Sequence, residues 1–150
     1  MTAPVLHHVE IALPVAQAFE LFVHGMARCW PFKGHSCGGA DAINVIVEGR
    51  VGGTVTEVTR HGQRHPWGTL LAWQPPHRLV MSWHPGQPSA MATRLELRFE
   101  EIVGGCVLHL VHDGWGVRGA SADDVRNGYL HGWSEVLQRW AAVAAKERRQ

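Results

Sequence analysis

The sequence predicts an α+β fold in which a curved, seven-stranded antiparallel sheet wraps around one long C-terminal helix. Three observations lead there. Ser121 to Lys146 is the one long run in which apolar residues recur at steps of three and four, the spacing of a helix with a single apolar face. The stretches before it mostly alternate apolar and polar side chains, as strands with one buried and one wet face do. The connections between those stretches are of hairpin length, which makes neighbouring strands antiparallel. A sheet curved around the helix is the arrangement that covers all the apolar faces at once.

Val5 to Leu13 reads as the first strand, with Val5, His7, Val9 and Ile11 on one face. Pro14 suits the first turn of a helix, where its missing N–H costs nothing. Val15 to Val23 follows as a short helix carrying Val15, Ala18, Phe19 and Phe22 at helical spacing. A second helical piece runs from Met26 to Trp30 and is stopped by Pro31. Pro31 to Asp41, rich in glycine, is loop chemistry. Ile43 to Glu48 and Gly53 to Thr59 are strands joined by Gly49, Arg50, Val51 and Gly52, a hairpin whose glycines suit positive φ.

After a polar turn from His61 to His65, the strand Trp67 to Trp73 sets Trp67, Thr69, Leu71 and Trp73 on one face. Pro75 and Pro76 break it, and Arg78 to Trp83 aligns Leu79, Met81 and Trp83. Thr93 to Ile102 alternates most cleanly, Leu95, Leu97 and Phe99 against Arg94, Glu96, Arg98 and Glu100. Gly104 and Gly105 turn the chain, and Cys106 to Asp113 pairs back with Cys106, Leu108, Leu110 and His112 on one face.

The final helix turns Val125, Tyr129, Trp133, Val136, Trp140 and Val143 inward and His131, Glu135, Gln138 and Arg139 outward. Ser121 with Asp124 three residues on forms a start like a capping box. Burying the inward set is worth roughly 10–15 kcal/mol before ordering entropy is counted. Gly128 and Gly132 sit beside that face, and each costs about 1 kcal/mol relative to Ala inside a helix. They call for a spatial reason: close approach of a strand, or room for a ligand.

The 150 residues are expected to form a single domain, 1–150, with enough apolar content for a real core. A net charge of +1 argues against a nucleic-acid partner. No apolar run approaches a membrane span, and the start lacks the charged and apolar regions of a signal peptide. Three cysteines cannot all pair within one chain, and no CxxC is present, so reduced thiols in the cytoplasm are expected. Cys29, His35 and Cys37 have metal-ligand chemistry but no standard zinc spacing, and no phosphate-binding glycine loop or GxSxG motif occurs. Neither a cofactor nor a metal is therefore expected.

Four segments carry a family resemblance: Glu48–Gly53 (EGRVGG), Gly68–Trp83 (GTLLAWQPPHRLVMSW), His112–Trp115 (HDGW) and Gly128–Leu137 (GYLHGWSEVL). Each is weak alone, but their order together resembles the family of the activator of the heat shock protein 90 ATPase, within the START-like, pollen-allergen-like SRPBCC superfamily. The resemblance implies a helix-grip fold with a cavity between sheet and C-terminal helix for an apolar or aromatic small molecule. It also implies an alternative role as an aromatase- or cyclase-like enzyme, or as a chaperone-associated module with a place in stress responses. Binding without catalysis, by a monomer or homodimer, is the first expectation.

The candidate ligand-binding residues are Trp30, Phe32, Trp67, Trp73, Trp83, His112, Arg126, Tyr129 and Trp133. The tryptophans offer flat apolar surfaces for an aromatic ligand, although most of any such set serves to fill a core. Trp30 and Phe32 lie on the short helical pair and its exit, which in such folds forms the lid. His112, Arg126 and Tyr129 are polar groups on or beside inward faces, placed to orient the polar end of a ligand. In an enzyme, His112 or Tyr129 would transfer protons.

Overall fold

The computed structural model describes residues 2–149. Among them one sheet of seven antiparallel strands runs in the order β1-β7-β6-β5-β4-β3-β2. The strands are β1 (Val5–Ile11), β2 (Ala42–Val47), β3 (Thr54–Thr59), β4 (Arg64–Gln74), β5 (Arg78–Trp83), β6 (Thr93–Ile102) and β7 (Gly105–Asp113). Only β1 leaves sequence order. It pairs with β7 from Val5 opposite His112 to Ile11 opposite Cys106, closing the meander with its first strand. Two short helices, α1 (Val15–His24) and α2 (Met26–Cys29), separate β1 from β2, and the long helix α3 (Ala122–Arg149) lies across the sheet.

The inward faces expected of β1, β6 and β7 are the buried ones. Leu95, Leu97, Phe99, Leu108 and Leu110 are almost wholly covered, and they meet Trp133, Val136, Leu137, Trp140 and Ala144 of α3 in one core. α1 adds Phe19 and Phe22, whose rings pack edge-on against Phe99 and Trp140. α2 ends at Trp30, which turns to extended backbone because Pro31 follows. In the β2–β3 turn, Gly52 has a φ of 83°, a conformation costly for any residue with a Cβ.

β4 departs from the alternation expected of it. Trp67 and Leu70 are buried, while Leu71 faces solvent. The reason is a pair of register shifts: Val55 pairs with Gly68 but Thr56 with Pro66, and Leu70 pairs with Met81 but Ala72 with Val80. Each shift inserts one unpaired β4 residue, first Trp67 and then Leu71, so the facing changes phase. A third shift lies in β2 between Ala42 and Asn44. Such bulges bend strands, and all three fall in the half of the sheet that curls toward α2 and the loop after it.

The start of α3 also differs from expectation. Ser121 belongs to the 3-10 turn Trp115–Ser121, and its hydroxyl donates to the Arg118 carbonyl, so it does not act as the expected capping box. No helix of the described residues is long and apolar enough to cross a membrane.

Candidate functional site

α3 buries its inward face unevenly. Trp133, Val136 and Trp140 in its middle are buried, whereas Val125 and Tyr129 near its start, and Val143 near its end, are only partly covered. Over the N-terminal half β1 and β7 reach the helix, with His7 Nε2 2.9 Å from the Leu130 carbonyl and the His112 ring 4.8 Å from that of Tyr129. The loop after α2 and the turn after β5 arch toward it as well, enclosing an open cleft of about 410 Å³. Its walls are Trp30, Trp83, Tyr129 and Trp133, with His35, Ser36 and Cys37 on the loop side and Pro85 and Gly86 on the turn. Gly128 and Gly132 form the helix side. A Cβ at Gly128 would meet nothing within 4 Å, whereas one at Gly132 would lie 3.4 Å from the His35 ring.

Beneath the cleft the space between helix and sheet is filled. Trp30, Trp67, Trp83 and Trp133 pack ring against ring, with centroids 4.9 Å apart for Trp30 and Trp67 and 5.2 Å apart for Trp67 and Trp83. Trp83 and Trp133 are likewise 5.2 Å apart. Further along the core only voids of about 10 Å³ remain. The aromatic-walled volume is therefore at the N-terminal end of α3; two other clefts, of about 670 and 590 Å³, lie around the start of α1 and Glu147, away from the tryptophans.

A buried polar chain sets the orientation of two of these walls. Trp133 Nε1 donates to His112 Nδ1 at 2.9 Å. An indole nitrogen can only donate, so Nδ1 is the unprotonated nitrogen and the proton sits on Nε2. His112 Nε2–H then donates to Thr93 Oγ1 at 2.7 Å, and the Thr93 hydroxyl donates to the Trp83 carbonyl at 3.1 Å. Burial, with the Arg118 charge nearby, pushes the His112 pKa down to about 3, which keeps the ring neutral. With both nitrogens engaged, His112 braces Trp133 and Trp83 from behind and presents neither nitrogen to the cleft.

The loop side is held by Glu57, which the sequence reading passed over. Its carboxylate is fully buried and accepts three N–H groups: Cys37 N at 2.9 Å, Gly38 N at 2.7 Å and Trp67 Nε1 at 2.9 Å. A buried carboxylate needs such donors. The available signal was its position two residues from Val55 on the inward face of β3. Glu57 thus fixes the backbone on which Cys37 reaches the cleft mouth. Two further ties close the loop onto the helix side: Trp30 Nε1 donates to the His35 carbonyl at 2.8 Å, and His35 Nε2 lies 2.8 Å from Glu135 Oε2 on α3. Arg28 also pairs with Glu147.

Of the nine candidate residues, Trp30, Trp83, Tyr129 and Trp133 come together in the cleft wall. Trp67 and His112 stand directly behind it, both fully buried. The other three lie elsewhere. Phe32 is half buried against the core, and Trp73 packs on Phe19 at 5.3 Å and over Gly49. Arg126 turns away to the N-terminal segment, donating to the Ala3 and Pro4 carbonyls at 2.6 and 3.1 Å.

Two groups of the cleft, the Tyr129 phenol and the Cys37 thiol, are shifted toward their neutral forms. Burial pushes the Tyr129 phenol up, opposed by the Trp83 N–H and the Arg118 charge. Burial and the Glu57 charge push the Cys37 thiol up as well. Cys29, Cys37 and Cys106 are all free thiols. Among the described residues no three His, Cys, Asp or Glu side chains are grouped to hold a metal ion. The site is an aromatic cleft with a phenol and a thiol in it, the His35 ring on its loop side and the Asp124 carboxylate at its rim.

Known proteins resemble the chain in sequence pattern and in fold. The family model for activator of Hsp90 ATPase homolog 1-like protein matches residues 12–145. Protein MLL2253 from Mesorhizobium loti superposes with a TM-score of 0.72 at 14% identity, over 95% of this chain and 97% of its own. The Aha1 dimer from Colwellia psychrerythraea gives 0.65 at 12% identity, covering 93% and 94%. An anthrahydroquino-gamma-pyrone synthase, Txn09, gives 0.65 at 26% identity, covering 94% and 96%. Comparison with curated proteins finds no match.

Proposed function

Because the chain belongs to the activator of Hsp90 ATPase homolog 1-like family, we propose that it binds an apolar or aromatic small molecule in the cleft between the N-terminal half of α3 and the loop after α2. The observation that carries this reading is the cleft itself: about 410 Å³ walled by four aromatic side chains, with open space above Gly128. A concave, largely apolar site with a few polar groups is the usual form of a small-molecule pocket. Gly128 is then explained, since a side chain there would occupy the ligand's volume. The three free thiols are consistent with work in the cytoplasm. A homodimer is part of the same proposal, by likeness to the Colwellia dimer.

Titration with a neutral, apolar fluorescent probe, followed through tryptophan emission, tests the reading. Wild-type protein is expected to saturate, and Gly128→Leu to bind about tenfold more weakly or not at all while unfolding at an undiminished denaturant concentration. Absence of saturable binding to the wild type, or unchanged binding to the variant, would overturn it.

A second reading, an enzyme acting on an aromatic substrate in the same cleft, is supported by the 26% identity to the Txn09 synthase. In that case proton transfer falls to the Tyr129 hydroxyl or the Cys37 thiol, because His112 is neutral and engaged at both nitrogens. A chaperone partner rests on family membership alone.

A further inference from the structure

Among the described residues three buried indole N–H groups lack a hydrogen-bond partner: those of Trp83, Trp115 and Trp140. Buried donors are almost always satisfied, so each orphan calls for an explanation. Only Trp83 among the three lines the cleft. It is 4% exposed, and its N–H stands beside the phenol oxygen of Tyr129 without completing a hydrogen bond. Tyr129 is held by its ring, against His112 at 4.8 Å and Trp115 at 5.7 Å, and no protein acceptor among the described residues claims its hydroxyl proton.

Most other polar groups of the cleft are committed, and the free Cys37 thiol is only a weak donor. His35 Nε2 is taken by Glu135, and the Ser36 hydroxyl donates to the Phe32 carbonyl at 2.5 Å. Asp124, at the exposed rim, brings only a carboxylate. That leaves the Tyr129 hydroxyl as the strong donor with nothing to donate to. If its oxygen accepts the Trp83 N–H, its proton points outward and is a better donor for it, because linked hydrogen bonds polarise one another.

We propose that the cleft selects planar aromatic ligands bearing a hydrogen-bond-accepting oxygen, a ring carbonyl or a phenolate, seated on the Tyr129 hydroxyl and backed by the Trp83 N–H. This rests on the cleft reading of the previous section. The ring system lies among Trp30, Trp83 and Trp133, and the oxygen replaces the missing acceptor. Arg118, close enough to Tyr129 for its charge to act on the phenol, favours negative charge on that oxygen. The Asp124 carboxylate at the rim disfavours further anionic groups.

Fluorene and 9-fluorenone share a flat tricyclic frame and differ at the carbonyl, so the ratio of their affinities reads the handle. Binding of both to wild type, Tyr129→Phe and Gly128→Leu is measured by tryptophan quenching. Wild type is expected to favour fluorenone, and Tyr129→Phe to lower the fluorenone-to-fluorene affinity ratio about three- to tenfold, the range for one neutral hydrogen bond. Fluorene affinity should stay within about twofold in Tyr129→Phe, and Gly128→Leu should weaken both probes together. Trp83→Phe supplies the same ratio from the other member of the pair, with a smaller drop expected. If both probes bind but the ratio is the same in wild type and Tyr129→Phe, the oxygen handle is overturned and the cleft reading stands. If neither probe binds wild type, the cleft reading falls and the handle with it.

Discussion

Gly128 and Gly132 occupy the same face of α3 one turn apart, yet the structure gives them different surroundings. Gly128 borders open space, so Gly128→Ala adds a methyl group without a clash and removes the conformational entropy that glycine brings to the unfolded chain. It should stabilise the protein by up to about 1 kcal/mol in urea unfolding. Gly132→Ala should gain less, because its methyl would come into close contact with the His35 ring at 3.4 Å, and that ring, tied to Glu135, has little freedom to adjust. Equal gains at the two sites would contradict this account. His112 makes a second prediction at this scale. Its pKa is lowered to about 3 in the folded protein, so between that value and about 6.5 the unfolded chain takes up a proton that the native one does not. The stability it contributes is fully present above pH about 6.5 and is lost as pH falls toward 3, at about 1.4 kcal/mol per pH unit. Between pH 6.5 and 5, wild type should therefore lose about 2 kcal/mol more than His112→Gln. Parallel losses in the two proteins would show that this ring is not the one responsible.

At the scale of elements, β4 is where alternation fails. The sequence pattern assigns Trp67, Thr69, Leu71 and Trp73 to one face, but the extra residues at Trp67 and Leu71 shift the register, so Leu70 is 1% exposed and Leu71 52% exposed. Leu70→Ala should cost about 2–4 kcal/mol by leaving a cavity against Met81, whereas Leu71→Thr should change stability by less than about 0.5 kcal/mol. The reverse order, measured by denaturant unfolding, would refute the bulge. A bulge escapes a period-two reading because it depends on how many residues each neighbouring strand supplies, which the strand's own sequence does not contain. The elements with no bulge were legible almost to their ends: β5 and β6 run over Arg78–Trp83 and Thr93–Ile102, as their alternation indicates. The loop after α2 was legible only as a loop. Its conformation comes from Glu57, nineteen and twenty residues away in the chain, and from His35 reaching Glu135 a hundred residues on.

For the whole molecule, hairpin-length connections and one long amphipathic helix sufficed to specify an antiparallel sheet wrapped on a helix, and the family follows from motifs spread along most of the chain. The position of the open volume did not follow. Six apolar residues on one face of α3 read as a uniform buried stripe, yet only Trp133, Val136 and Trp140 in its middle are buried, and Val125 and Tyr129 are left partly exposed beside the cleft. Four of the nine candidate residues meet in that opening, and His112, inward as its strand face required, turned out to brace two of them from behind. By itself the sequence determined which side of most elements is apolar, β4 excepted, and so the fold, because those periods are local and every apolar face must find a partner. Tertiary structure alone decided where along the helix the cleft opens and that the Trp83 N–H, buried beside it, was left without an acceptor. Those outcomes depend on what lies across an interface from residues far apart in the chain, a relation that no local pattern encodes.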